Sequence, residues 1–331
     1  MGRSRIDVLR AAGLSVALAV FGAVSAYSQS LTLSRTIDLP GVTGRIDHLG
    51  IDLDGNRLFV AALGAGSLEM VDLGAGKRTT RFSPLSEPQG VAYLAARRRV
   101  IVASGGSGRV AAYESASSAV ASVEGLDDAD NIRLDPAADR VIVGYGHALA
   151  VLDPLTLAVG QRFELPGHPE AFELDPSGRR VYVNVPSSGQ IVVIDRQSGK
   201  IAATWPVIGA AGNFPMALDA SSNRLYVATR RPALLQAYDT STGKRVSEVP
   251  IGADPDDLFF DSGRRQLYAV CGQGVVDIVR QGESDRLELV ERVQTAPGAS
   301  TGLFVSRFST LFVAVPARAG ASAQIRAYTI K

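Results

Sequence analysis

The feature that most constrains the fold of this chain is a motif that recurs seven times. One position, usually arginine, returns at steps of 40 to 44 residues, at Arg57, Arg99, Arg140, Arg180, Arg224, Gln266 and Thr310. A short apolar run rich in β-branched residues follows it in every copy, such as LFVAA after Arg57 or VIVAS after Arg99. This spacing is the length of a four-stranded propeller blade. The repeat therefore predicts an all-β fold, a seven-bladed β-propeller of four-stranded blades.

The copy at 179–200 shows the local pattern most clearly. Two strand-like runs, VYVNV and IVVID, are separated by PSSGQ and followed by RQSGK. Branched and aromatic side chains pack well on a pleated surface, while Gly and Ser permit tight turns. One hairpin cannot bury its faces alone. We therefore expect the copies to pack against one another.

Two copies also carry a family resemblance. The segments VYVNVPSSGQIVVIDRQSGK and LYVATRRPALLQAYDTSTGK resemble the YVTN-type repeat of YncE-like bacterial β-propeller proteins. The resemblance covers essentially the whole chain after residue 26. It implies the propeller fold, but the matched residues are strand and turn positions, so it implies no particular chemistry.

The first 26 residues have the pattern of a secretory signal peptide. Three arginines precede the apolar run AAGLSVALAVFGAV, which is too short to span a bilayer comfortably, and Val-Ser-Ala ends at Ala26. We predict that 1–26 is cleaved and that 27–331 is a single propeller domain. The protein is then periplasmic or secreted, with no membrane insertion after cleavage. The alternative is an uncleaved anchor.

The charge and the cysteine content of the chain limit the kinds of partner that it can bind. The chain has 34 basic and 33 acidic residues, and removing residues 1–26 takes away three Arg and one Asp, leaving a net charge of −1. Because nucleic-acid binders normally carry a basic surface, we predict no nucleic-acid partner. Cys271 is the only cysteine, so no internal disulfide can form, and we expect a buried thiol and a monomer.

The two ends of the chain predict how the ring closes. The seventh copy supplies strands near 302–306, 310–315 and 323–330, and the sequence then stops at Lys331. The segment LTLSRTIDLPG at 31–41 is similar to the outermost-strand segments of other copies, such as VGQRFELPGHP. We predict that this N-terminal strand completes the last blade and so removes an open sheet edge.

Candidate functional residues map to one face of the predicted ring. The loops that enter the innermost strands open there around the central channel, and all three histidines of the chain belong to this face. These loops carry a mixture of acidic, basic and amide side chains, which is more than a loop needs in order to reverse the chain direction. The predicted ligand-binding residues are Arg45, Asp47, Gln89, Asn131, His147, Arg230 and Thr301.

Several of these residue types are suited to proton transfer or to metal binding. Imidazole titrates near neutrality, so His48 and His168, with Glu170, are the predicted catalytic residues if the protein is an enzyme. Hard cations take oxygen ligands, which makes the carboxylates candidates for a divalent metal ion. The predicted metal residues are Asp130, Asp256 and Asp257.

Each assignment has a structural alternative. The histidines could be loop residues bonded to a neighbouring blade, the aspartates could cap turns, and Arg45 and Arg230 could form salt bridges between blades. We expect a binding or scaffold propeller that holds a small molecule, a protein or an ion at its central mouth. The alternative is a hydrolase or lyase, lactonase-like or metal-assisted, that uses the same mouth.

Overall fold

The structure, a computed structural model, describes residues 1–2, 30–116 and 118–331. These residues form seven four-stranded antiparallel sheets arranged as a seven-bladed β-propeller, which confirms the predicted fold. The predicted signal peptide lies almost entirely outside the described residues. Among the helices that are described, none is long and apolar enough to cross a membrane.

The first three blades follow the chain in order, with the first strand of each innermost. Blade 1 contains β2 to β5, at Leu49–Asp52, Arg57–Ala62, Ser67–Asp72 and Lys77–Phe82. Blade 2 contains β6 to β9, at Pro88–Leu94, Arg99–Ser104, Arg109–Tyr113 and Ala119–Val123. Blade 3 contains β10 to β13, at Ile132–Asp135, Arg140–Tyr145, Ala148–Leu152 and Val159–Glu164.

The next three blades repeat this order. Blade 4 contains β14 to β17, at Phe172–Leu174, Arg180–Val185, Gln190–Asp195 and Lys200–Pro206. Blade 5 contains β18 to β21, at Ala211–Asp219, Arg224–Arg231, Ala233–Asp239 and Arg245–Pro250. Blade 6 contains β22 to β25, at Pro255–Asp261, Gln266–Cys271, Val275–Gln281 and Leu287–Gln294.

Blade 7 joins the two ends of the described chain. It contains β26 to β28, at Gly302–Val305, Thr310–Val315 and Ala323–Ile330, and its outermost strand is β1, at Leu31–Leu39. The register runs from Leu31 opposite Ile330 to Leu39 opposite Ala323. The predicted closure is confirmed. Short 3₁₀ helices connect some of the strands, at Leu63–Ala65, Ala95–Arg97, Gly105–Ser107, Pro186–Ser188, Glu283–Asp285 and Ser306–Phe308.

The second strand of each blade explains the apolar repeat. All seven of these strands begin at the repeated positions that the sequence marks. Their side chains are buried on both sides, because each blade packs between two neighbours, so the runs are continuously apolar rather than alternating. In the described residues, one apolar cluster fills each of the seven blade-to-blade interfaces. Cys271 ends β23 and is buried, as expected.

Candidate functional site

The strand register defines a ring of equivalent residues at the central mouth. In blade 1, Leu49 pairs with Val60, the fourth residue of β3, and the corresponding pair exists in every blade. The residue two positions before the inner member of that pair is therefore equivalent throughout. We call this set the mouth ring, and its members from blade 1 to blade 7 are Asp47, Gln89, Asp130, Glu170, Phe214, Asp256 and Ser300.

Backbone hydrogen bonds fix the mouth ring to the blades. The amide of Asp47 donates to the carbonyl of Ala61 at 2.8 Å, and the amide of Asp130 donates to the carbonyl of Gly144 at 2.9 Å. Glu170 is held in the same way by the second strand of blade 4. These carboxylates thus continue the strand pairing, and their positions do not depend on free loops.

A glycine allows blade 2 to approach the site. A Cβ built on Gly90 would lie 2.0 Å from the carbonyl oxygen of Asp130. No side chain fits at that distance, so any residue other than glycine would displace the backbone that carries the Asp130 carboxylate. Gly90 is therefore part of what positions the site.

The mouth opens into a central cavity of about 400 Å³. Most of its polar lining lies at the entries to the inner strands or at their first residues, Arg133 and Glu173 lie farther along β10 and β14, and most of its apolar lining comes from the strands. The volume lies within the range of small-molecule sites, which combine apolar walls with a few convergent polar groups. The polar lining residues at the entries are Arg45, His48, Asp130, Asn131, Glu170, Asp256 and Asp257.

His48 lies between three carboxylates from three blades. Its Nε2 is 3.7 Å from Asp47 Oδ1 and 3.7 Å from Asp130 Oδ1, while its Nδ1 is 3.5 Å from Asp257 Oδ1. The other oxygen of Asp257 accepts a hydrogen bond from the Gly302 amide at 2.8 Å. Asp257 thus orients the ring and directs Nε2 toward the other two carboxylates.

Three buried oxygens at this point accept no hydrogen bond from the described residues, and one of them, Asp47 Oδ2, forms an ion pair with Arg45 instead. Asp47 Oδ1 and Asp130 Oδ1 accept none from the described residues, although both residues are at least nine-tenths buried. One ligand atom each from Asp47, His48 and Asp130 lie within 4.8 Å of one another. Buried carboxylate oxygens normally have partners, so this trio fits a divalent cation that imidazole and carboxylate both bind.

The electrostatics of the mouth favour cations. Burial opposes a charge on His48, but Asp257, Asp47 and Asp130 outweigh it and raise the pKa of His48 to about 10. Burial, together with Asp47 and Glu170, raises the pKa of Asp130 to about 7, against the opposing effect of His48. Burial, followed by Asp256, raises the pKa of Glu170 to about 7. The carboxylates therefore ionise reluctantly without a further positive charge.

The two predicted arginines lie beside the cluster. Arg45 Nη2 is 2.9 Å from Asp47 Oδ2, and Arg230 Nη2 donates to Asp256. The guanidinium of Arg230 also lies over the ring of Phe214, 3.6 Å from its centroid. Of the three predicted metal residues, only Asp130 belongs to the trio with Asp47 and His48, while Asp256 pairs with Arg230 and Asp257 contacts His48 Nδ1.

The remaining predicted residues lie around this centre. His168 Nδ1 is 3.0 Å from the Gly146 carbonyl and 3.6 Å from Asp128 Oδ2, so its ring is held at the rim. Gln89 also reaches Asp128, at 3.5 Å, and His147 is exposed. The structure therefore does not place His168 or His147 against His48.

Two predicted residues bond within the wall of the mouth. The hydroxyl of Thr301 donates to the carbonyl of Ile46, which ties blade 7 to blade 1. Asn131 Nδ2 is 3.3 Å from Asp130 Oδ2. Asn131 thus holds the Asp130 oxygen that is not the one nearest to His48.

Sequence reasoning missed three residues of the central cavity. Phe214 is the blade 5 member of the mouth ring, and strict alignment of the copies would have found it. Arg133 and Glu173 project from the inner strands of blades 3 and 4, with Arg133 Nη2 3.8 Å from Glu173 Oε1. A charge inside an inner strand is the signal that could have identified them.

Comparisons with known proteins give the fold and no more. No protein-family model matches the chain, and no curated protein matches it. Among solved structures 1769 chains match, so the architecture is shared too widely to indicate a function. One of them, a chain in the crystal structure of a mitotic checkpoint complex, has a TM-score of 0.77 and 13% identity, over 99% of each chain.

Proposed function

We propose that this protein is an exported, YncE-like binding propeller whose central mouth binds a small ligand through a divalent cation. Asp47, His48 and Asp130 are the cation ligands. The observation that carries this proposal is the pair of buried oxygens, Asp47 Oδ1 and Asp130 Oδ1, that accept no hydrogen bond from the described residues and face His48 Nε2.

The surroundings of His48 support this role. A carboxylate on the far nitrogen of a metal-bound histidine fixes the ring and raises its basicity, and Asp257 has that position. Because the cation and a proton compete for Nε2, affinity for the cation should rise with pH. Three ligands also leave coordination positions for oxygen atoms of a bound molecule.

The remaining parts of the proposal depend on sequence. The N-terminal pattern supports export to the periplasm or the medium, and the near-neutral charge supports a protein that binds no nucleic acid. The repeat motifs support YncE-like ancestry. We propose a monomer that is not inserted in the membrane after signal cleavage.

The experiment compares two aspartates of the same blade. Purified protein is analysed for bound metal and titrated with Mn²⁺ and Zn²⁺, beside Asp130→Asn and the control Asp128→Asn. Asp128 faces the same side of the ring, but its side chain is 65% exposed and lies beside His168. We expect one cation per chain, and an affinity lowered at least about tenfold by Asp130→Asn and unchanged by Asp128→Asn.

Two results would contradict the cation site. The first is wild-type protein that binds neither metal at pH 8. The second is equal affinity in Asp130→Asn and Asp128→Asn. In the first case His48, as an imidazolium, would itself be the counter-ion of the carboxylates.

A second candidate function is a hydrolase or lyase at the same mouth. The observation that favours it is the pKa of about 7 for both Asp130 and Glu170, because a general acid or base works best near the operating pH. Ring opening of simple lactones by wild type and Glu170→Gln would test it. Turnover that Glu170→Gln reduces at least about a hundredfold, with metal binding unchanged, would favour the enzyme.

A further inference from the structure

A second cavity adjoins the central one. It has a volume of about 460 Å³ and lies among the loops of blades 1, 5, 6 and 7. Arg45 and Asp256 line both cavities, so a molecule in one can extend into the other. We call it the arginine cavity, because Arg45, Arg230 and Arg318 all line it.

The three arginines differ in how many ion pairs and hydrogen bonds their guanidinium groups form. Arg230 lies 3.2 Å from Asp254 and also contacts Asp256, so its charge is balanced and its position fixed. Arg45 is 55% exposed and uses one nitrogen on Asp47. The same nitrogen lies 3.9 Å from Asp256 Oδ2, and the other guanidinium donors of Arg45 have no partner among the described residues, so they are available to a ligand.

Arg318 is the least engaged of the three. Its side chain is exposed and makes no hydrogen bond or ion pair with the part of the chain that the structure describes. The cavity wall beside Arg318 is formed by Gly298, which has no side chain. A Cβ built on Gly298 would lie only 3.3 Å from Arg318 Nη2, so a larger residue would crowd the guanidinium. Asp47 pairs with Arg45, and Asp254 and Asp256 pair with Arg230, so Arg318 is the arginine of this cavity whose positive charge has no acidic partner among the described residues.

We propose that the ligand is a small organic acid whose carboxylate binds Arg45 and Arg318 in the arginine cavity. A second oxygen of the same molecule, from a carboxylate, hydroxyl or carbonyl group, then reaches the cation in the central cavity. Guanidinium groups bind carboxylates with paired hydrogen bonds. A single unbalanced positive charge matches a carboxylate better than a doubly charged phosphate. This inference rests on the proposed function, because it assigns the ligand class of the same mouth.

The test uses three probes of defined charge. Calorimetry measures binding of succinate, its neutral counterpart succinamide, and inorganic phosphate to Mn²⁺-loaded protein at constant ionic strength. The variants are Arg318→Gln and the control Arg179→Gln, which removes the same charge from the opposite face, in the turn before β15. We expect succinate to bind most tightly, and Arg318→Gln to weaken it about tenfold while Arg179→Gln does not.

Failure of this inference is separable from failure of the cation site. Mn²⁺ is titrated first without any acid, and that result concerns the cation alone. Succinate is then also titrated into metal-free protein, where an Arg318-dependent affinity would still support the arginine cavity. Succinate binding that is absent, that is equal in Arg318→Gln and Arg179→Gln, or that is weaker than phosphate binding would overturn the proposal.

Discussion

Asp277 in blade 6 and Asp47 in the mouth ring are both buried carboxylates, but their surroundings differ. Asp277 accepts hydrogen bonds from Arg292 at 2.6 and 2.7 Å and from the Gly252 amide at 2.6 Å. Glu69 in blade 1 is satisfied similarly, by Ser67 and two arginines. Among the described residues, the Asp47 carboxylate has only the ion pair with Arg45 and the more distant His48 as positively charged or hydrogen-bonding partners.

The difference distinguishes buried carboxylates that stabilise the fold from buried carboxylates that are available to a ligand. A buried charge costs several kcal/mol unless hydrogen bonds and counter-charges replace water. Within the blades the chain supplies those partners itself. At the mouth, Asp47 Oδ1 and Asp130 Oδ1 accept no hydrogen bond from the described residues and are not paired with an arginine, so a ligand with positive charge can supply the missing partner. We therefore expect changes within the blades to destabilise the protein more than changes at the mouth.

Removing residues 31–39 should have the largest effect, because it opens blade 7. The strand buries Leu31, Ile37 and Leu39, each worth about 1.5–3 kcal/mol, so the free energy of unfolding should fall by about 5 kcal/mol or more. Thermal melting of the truncated protein measures this. The control is Leu33→Ser, which changes an exposed residue of the same strand. A truncated protein that melts at the same temperature would show that β1 does not hold the ring closed.

Arg292→Ala should be the most damaging single substitution within a blade. It leaves the Asp277 carboxylate buried without its main partner, which should cost about 3–5 kcal/mol of unfolding free energy. The control in the same blade is Arg280→Ala, whose ion pair with Glu288 is exposed and contributes at most about 1 kcal/mol. Urea denaturation compares the two. Equal losses would remove the distinction between buried and exposed pairs.

The metal-free protein should lose stability as pH rises. Asp130 and Glu170 have folded pKa values of about 7, above those of free carboxyl groups, so their contribution falls between about pH 4 and 7. His48 has a folded pKa of about 10, so its contribution is complete below about pH 6.5 and falls as pH rises through 10.

His48→Gln isolates the alkaline part of this profile. Melting temperatures between pH 6.5 and 9.5 should decline less steeply in His48→Gln than in wild type. The matched control is His147→Gln, because His147 is an exposed loop residue. A wild-type profile that stays flat over this range would contradict the charge assigned to His48.

Asp130→Asn should produce a smaller effect of the opposite sign. Without metal at pH 8, an ionised Asp130 is unfavourable in the folded state, so the substitution should stabilise the protein by about 1–2 kcal/mol. Denaturation of metal-free Asp130→Asn and Asp128→Asn at pH 8 checks this. If Asp130→Asn is destabilising instead, the mouth resembles the blades, and the contrast with Asp277 is lost.

The ring of seven blades could be predicted from the repeated motif alone. A strand of continuous apolar residues returns at the spacing of a propeller blade, and packing between two neighbouring blades buries such a strand on both faces. The missing fourth strand of the last copy and its counterpart at Leu31–Leu39 determined the closure. These are local patterns repeated along the chain, so they can be recognised without knowing which distant residues are in contact.

Which polar residues meet at the mouth could not be predicted before the closed ring was known. His48, Asp130 and Asp257 come from blades 1, 3 and 6, and the sequence alone could not show that they surround one point while His168 bonds to Gly146. Their convergence depends on the closed ring and on the side-chain directions that each strand register sets. Side-chain proximity across blades is a property of that geometry, because residues far apart in sequence approach only when all seven blades are in place.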